Sequence, residues 1–153
     1  MQPSLSEENT NQGKKRVLFV NDDVDTTTVI KEGLSKHGYE VETFVDPNLA
    51  LQNFKASNYD LLLLDVRMRG LNGFELYNKM RKVDKNIKVC FISASNTFYE
   101  KYKRLYPEVQ EKCYIQKPLR IKNLAGITGN IYHNLYCYGH NLRCRTISYF
   151  GIR

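Results

Sequence analysis

Three acids, one serine and one lysine stand where short apolar runs end. Val17-Leu18-Phe19-Val20 stops at Asn21-Asp22-Asp23, Leu61-Leu62-Leu63-Leu64 stops at Asp65, Ile87 to Ile92 stops at Ser93, and Cys113 to Gln116 stops at Lys117. If those ends share one edge, three carboxylates repel one another until a cation relieves the cost. Oxygen donors without a matching His/Cys set suit Mg²⁺, which keeps several waters and usually shares its shell with a phosphate. A carboxylate beside such an ion can attack phosphorus to give an acyl phosphate. The Ser93 hydroxyl and the Lys117 ammonium suit the phosphoryl oxygens, because phosphoryl transfer needs mainly positioning and charge neutralisation.

Such convergence needs a particular scaffold. The four leucines before Asp65 read as a strand buried on both faces, as in parallel sheets. Tyr39 to Phe44 alternates as a strand, and helical patterns separate the runs. Asp23 to Thr28 is rich in capping residues, and Val29, Ile30, Gly33 and Leu34 then share a helical face up to His37-Gly38. Asp46-Pro47 starts a second helix with Ala50, Leu51 and Phe54 inward. A third spans about residues 74–82 with Phe74, Tyr77 and Met80 inward. A fourth carries Phe98, Tyr102, Leu105 and Tyr106 up to Pro107. A fifth runs from Leu119 through Leu135, weakened by Gly126 and Gly129. Five strands alternating with five helices predict a three-layer α/β domain with a five-stranded parallel sheet covered on both faces, its ligand site at the carboxyl ends of the strands.

In order and approximate spacing, Asp22-Asp23, Asp65, Ser93-Ala94 and Lys117-Pro118 resemble the receiver domain of two-component response regulators, over about residues 14–135. The resemblance implies the flavodoxin-like strand order 2-1-3-4-5. It implies that Asp65 is the phosphoacceptor, with Ser93 and Lys117 gripping the phosphoryl group. Asp23, Asp65 and the Arg67 backbone carbonyl would ligate Mg²⁺, with Asp22 helping directly or through water. Tyr114, three residues before the lysine, falls where the family has its switch aromatic, whose rotamer follows the hydroxyl. The chain departs from the pattern at Arg69, where proline is usual. Arg67 and Ser95 flank the expected water path, and Pro107 interrupts the usual docking segment. Taken alone, Asp22-Asp23 would read as a helix cap and Tyr114 as a half-buried strand tyrosine.

The implied role is a phosphorelay regulator without catalysis beyond its own phosphorylation and dephosphorylation. A sensor histidine kinase or phosphotransfer protein would be the donor and another protein the target. The expected organisation is a flexible tail over residues 1–13, a receiver domain over 14–136, and a basic aromatic tail over 137–153 with no separate output domain.

Composition frames these expectations. With 153 residues and no apolar run able to span a membrane, a cytoplasmic single domain is expected. The four cysteines have no framework spacing, so free thiols are expected. The net charge of +7 sits entirely after Glu111, where seven Lys+Arg face no acid. That tail, with Arg143, Arg145, Tyr149, Phe150 and Arg153, supports an alternative in which the receiver body is a scaffold and the tail binds nucleic acid or an anionic surface; a further alternative keeps the fold as a phosphorylation-independent interaction module. His133, Cys137, His140 and Cys144 are zinc-competent, yet a straight helix spreads them over roughly 16 Å, too far for one ion.

Overall fold

A computed structural model describes residues 13–94, 100, 101, 104, 105 and 113–122. The chain runs β1 (Arg16–Val20), α1 (Val24–Lys36), β2 (Glu40–Phe44), α2 (Pro47–Asn53), β3 (Leu61–Asp65), α3 (Gly73–Val83), β4 (Lys88–Ser93) and β5 (Cys113–Gln116). All strands pair in parallel, in the order β2-β1-β3-β4-β5. Both the α/β fold class and the expected strand order are therefore present. Residues 100, 101, 104, 105, 121 and 122 are helical. The rest of the expected fourth and fifth helices, both tails and the His133/Cys137/His140/Cys144 set lie outside the described residues.

Alternation along the strands builds two cores. Leu18, Val20, Leu62, Leu64, Val89 and Phe91 pack on one face with Ala50 of α2 and Phe74, Leu76, Tyr77 and Met80 of α3. Val17, Phe19, Leu61, Leu63, Cys90, Ile92 and Ile115 pack on the other with Ile30 and Leu34 of α1 and with Ile121. β3 is central, and its leucines, all fully buried, serve the two faces in turn. The three-layer arrangement follows, since each face of a parallel sheet must be covered.

Three expectations change in detail. Val29 is exposed and the buried face of α1 is instead Thr27, Ile30, Gly33 and Leu34, because Thr27 lies one turn before Ile30 and Val29 turns outward. Leu105 is also exposed rather than inward. Cys90 is disulfide-bonded rather than a free thiol; the parallel register places Cys113 opposite it, a proximity that sequence spacing does not display.

Candidate functional site

Asp65 ends β3 and is 3% exposed. Its Oδ1 accepts the Arg67 backbone N–H at 3.1 Å, and its Oδ2 lies 2.8 Å from Lys117 Nζ. The flanking strands fix these partners. Lys117 follows β5, and its backbone N–H donates to the Ser93 carbonyl at 2.8 Å, tying it to the end of β4. The Lys117–Pro118 peptide is cis.

On the other side of Asp65, α3 begins close against β3. Asn72 and Glu75 form a reciprocal capping box that holds the first turn. Gly73 donates to the Val66 carbonyl at 3.0 Å, and a Cβ at Gly73 would overlap the Asp65 carbonyl oxygen. Glycine is required there by the close approach of helix to strand.

Ser93 ends β4 and is 1% exposed. Its side chain is hydrogen-bonded to the Tyr114 phenol. Burial pushes the Tyr114 pKa up, and the Ser93 bond acts the other way. Hydroxyl and phenol are thus already coupled across β4 and β5.

The two acids after β1 part ways. Asp22 Oδ2 accepts the Arg69 backbone N–H at 3.2 Å, joining the β1–α1 turn to the loop after Asp65. Asp23 is the N-cap of α1, with one oxygen accepting Asp25 N–H at 3.1 Å and the other the Thr26 hydroxyl at 2.6 Å. The Thr26 hydroxyl holds the Asp23 carboxyl below the usual carboxylate value. The structure thus distinguishes the two acids expected at the metal site beside Asp65: Asp23 caps α1, whereas Asp22 is tied to the loop after Asp65. Among the described residues no group of three His, Cys, Asp or Glu side chains could hold a metal. The donors instead fit an ion that takes one or two carboxylates and completes its shell with water, a backbone carbonyl and phosphoryl oxygens, as Mg²⁺ does. Asp22 and Asp65 are carboxylates that such an ion would take, and Arg67, two residues past Asp65, lines the same groove as Asp22.

A groove of about 610 Å³ opens beside the acids, lined in part by Asp22, Arg67, Arg69, Phe74, Lys101 and Leu105. Arg69 is thus a rim residue whose backbone is also bound to Asp22.

In the sequence, Asn21 marks only the point where the first strand stops. It is 1% exposed, its Oδ1 accepts Asp23 N–H at 3.0 Å, and its Nδ2 is buried without a hydrogen-bond partner. The signal lay in the alternation, because Val20 pairs with Leu64 and the next residues are Asn21 and Asp65.

Residues 17–128 match the family model for the response regulator receiver domain. The chain is 32% identical over 110 residues to the transcriptional regulatory protein PrrA of Mycobacterium leprae, covering 72% of this chain and 46% of that protein. It spans about half the length of such curated relatives. The response regulator TrrA of Thermotoga maritima, solved in complex with Mg²⁺-BeF, is 29% identical with a TM-score of 0.65, over 76% of this chain and 98% of that one. The chemotaxis protein CheY4 of Vibrio cholerae shares the fold at 24% identity and a TM-score of 0.67, over 77% and 98%.

Proposed function

Since this chain belongs to the response regulator receiver domain family of two-component systems, we propose that Asp65 accepts a phosphoryl group from the phosphohistidine of a sensor kinase or phosphotransfer protein. The observation carrying this reading is a buried carboxylate at the central strand end with an ammonium 2.8 Å from one oxygen. An Asp65 oxygen attacks phosphorus. The P–N bond breaks, and its electron pair stays on the imidazole nitrogen, which can then take a proton. The products are an aspartyl phosphate and a free histidine.

Asp22, Asp65 and the Arg67 carbonyl would hold Mg²⁺, which supplies charge neutralisation for the phosphoryl oxygens when bound. Lys117 pairs with Asp65 before transfer. Once that carboxylate is an acyl group, the negative charge lies on the phosphoryl oxygens, and the ammonium follows it over a short distance. Ser93 donates to the same oxygens, and its tie to Tyr114 passes the change toward the β5 edge. The altered surface would change binding to a downstream protein.

Incubation with acetyl phosphate and Mg²⁺ tests the assignment by intact mass. Wild type should gain one phosphoryl group and Asp65→Asn none. Equal labelling of the variant would remove Asp65 from the role.

A further inference from the structure

Asn21 and Asp65 lie one residue beyond the last registered pair of β1 and β3, Val20 with Leu64. Val20 and Leu64 face α2 and α3, whereas Phe19 and Leu63 face α1. By alternation the Asn21 and Asp65 side chains leave the sheet on the same side, one strand spacing of about 4.8 Å apart. The Asn21 amide is also fixed in orientation. Asp23 N–H needs an acceptor, so Oδ1 faces it at 3.0 Å and Nδ2 is left without a partner in the interior. A buried donor left unpaired forfeits its hydrogen bond to water, so such groups in native structures call for a specific reason.

We propose that Asn21 Nδ2 is a hydrogen-bond donor reserved for an oxygen of the phosphoryl group on Asp65. The chemistry selects that ligand. An amide N–H cannot bind a cation, and a water on Mg²⁺ points its lone pair at the ion. Both Asp65 oxygens already have donors, Arg67 N–H and Lys117 Nζ. Phosphorylation adds three strong acceptor oxygens beside this amide. A carboxylate in place of Asn21 would repel those oxygens, whereas the amide attracts them and leaves Asp22 and Asp65 as the acids for the ion. The inference rests on Asp65 being the phosphoacceptor.

Beryllofluoride, a stable phosphoryl stand-in, separates the two claims when titrated calorimetrically at saturating Mg²⁺, with Mg²⁺ affinity measured separately. Asn21→Ala should bind beryllofluoride on the order of tenfold more weakly, the worth of one hydrogen bond to a charged group. Its Mg²⁺ affinity should be unchanged. Asn21→Asp keeps the acceptor for Asp23 N–H but loses the donor, so it should bind Mg²⁺ more tightly and beryllofluoride more weakly than wild type. Asn21→Ser retains a small acceptor near Asp23 N–H and serves, with its thermal melt, as the check on folding; it should share the beryllofluoride loss. Beryllofluoride affinity in folded Asn21→Ala or Asn21→Ser within twofold of wild type would overturn the proposal, as would a loss explained wholly by Mg²⁺ affinity. Wild-type beryllofluoride binding by Asp65→Asn would instead defeat the phosphoacceptor reading beneath it.

Discussion

Lys117 Nζ and Asp65 Oδ2 are 2.8 Å apart although 52 residues separate them in sequence, because β4 lies between β3 and β5 and the Ser93 carbonyl anchors Lys117 N–H. The pair is asymmetric: the lysine side chain is 35% exposed and the aspartate 4%. Removing the lysine would strand a buried charge, whereas removing the aspartate leaves an ammonium that water can reach. Lys117→Ala should therefore destabilise the domain by about 1–3 kcal/mol, the cost of one unpaired buried group. The same change in an Asp65→Asn background should cost little. Urea denaturation of the four proteins of this cycle measures both values. Equal costs in the two backgrounds would place the effect of Lys117 elsewhere.

Gly70, in the loop after Asp65, and Gly73, the first residue of α3, should differ in their effect on labelling. At Gly73 an added methyl meets backbone, the Asp65 carbonyl and Val66 Cα, neither of which can swing away. Gly73→Ala should cost about 1–3 kcal/mol by overpacking. It should also slow acetyl phosphate labelling roughly tenfold to a hundredfold, because it displaces the attacking group. Gly70 has a φ of +83° but open space, with Asn48 Nδ2 at 3.5 Å. Gly70→Ala should cost about 1–2 kcal/mol in left-handed strain and leave labelling near wild type. Melting and mass spectrometry on the two variants separate positioning from strain.

The contrast shows which information the sequence carried. Strand alternation is local, so the leucines of β3 and their delivery of Asp65 were legible, as were the Asp46 cap and the helix faces around Ile30 and Phe74. The meeting of Lys117 with Asp65 followed once the strands were parallel. The division of labour between Asp22 and Asp23 was not legible, because Asp suits both a cap and a metal site. Only the Thr26 and Asp25 bonds show that Asp23 is the cap. Asn21 carries no signal of its own because its neighbour across the sheet sits on another strand, and cysteine spacing does not display the Cys90 disulfide.

The Ser93–Tyr114 bond predicts a titration effect with a fixed sign. Burial raises the phenol pKa and the Ser93 bond lowers it. Ser93→Ala deletes the lowering contribution and leaves Tyr114 behind in its half-buried place. Its pKa should therefore rise further above the ordinary tyrosine value. Ring-carbon chemical shifts of ¹³C-labelled tyrosine, with Tyr114→Phe to assign the signal among eleven tyrosines, follow this directly. A fall in the pKa would mean that the bond favours the neutral phenol.

A second tyrosine, bonded to the edge strand β2, links the stability of the fold to alkaline pH. The Tyr59 hydroxyl donates to the Glu42 carboxylate, and its ring stacks on Phe54 at 5.9 Å with the Arg16 guanidinium 5.4 Å from its centroid. Burial first, then the Glu42 bond and charge, push its pKa from 10.0 up to about 12, against a smaller opposing pull from Asn58 and Arg16. The unfolded chain thus releases this proton at lower pH than the native one. The stabilisation is fully present below about pH 10 and is lost as pH rises toward about 12, because over that window the native state binds more protons than the unfolded state. Tyr59→Phe cannot titrate, so the stability advantage of wild type over this variant should shrink across the window. Denaturant midpoints of both proteins from neutral to alkaline pH test this, and a constant difference would show that the Tyr59 proton is not linked to folding.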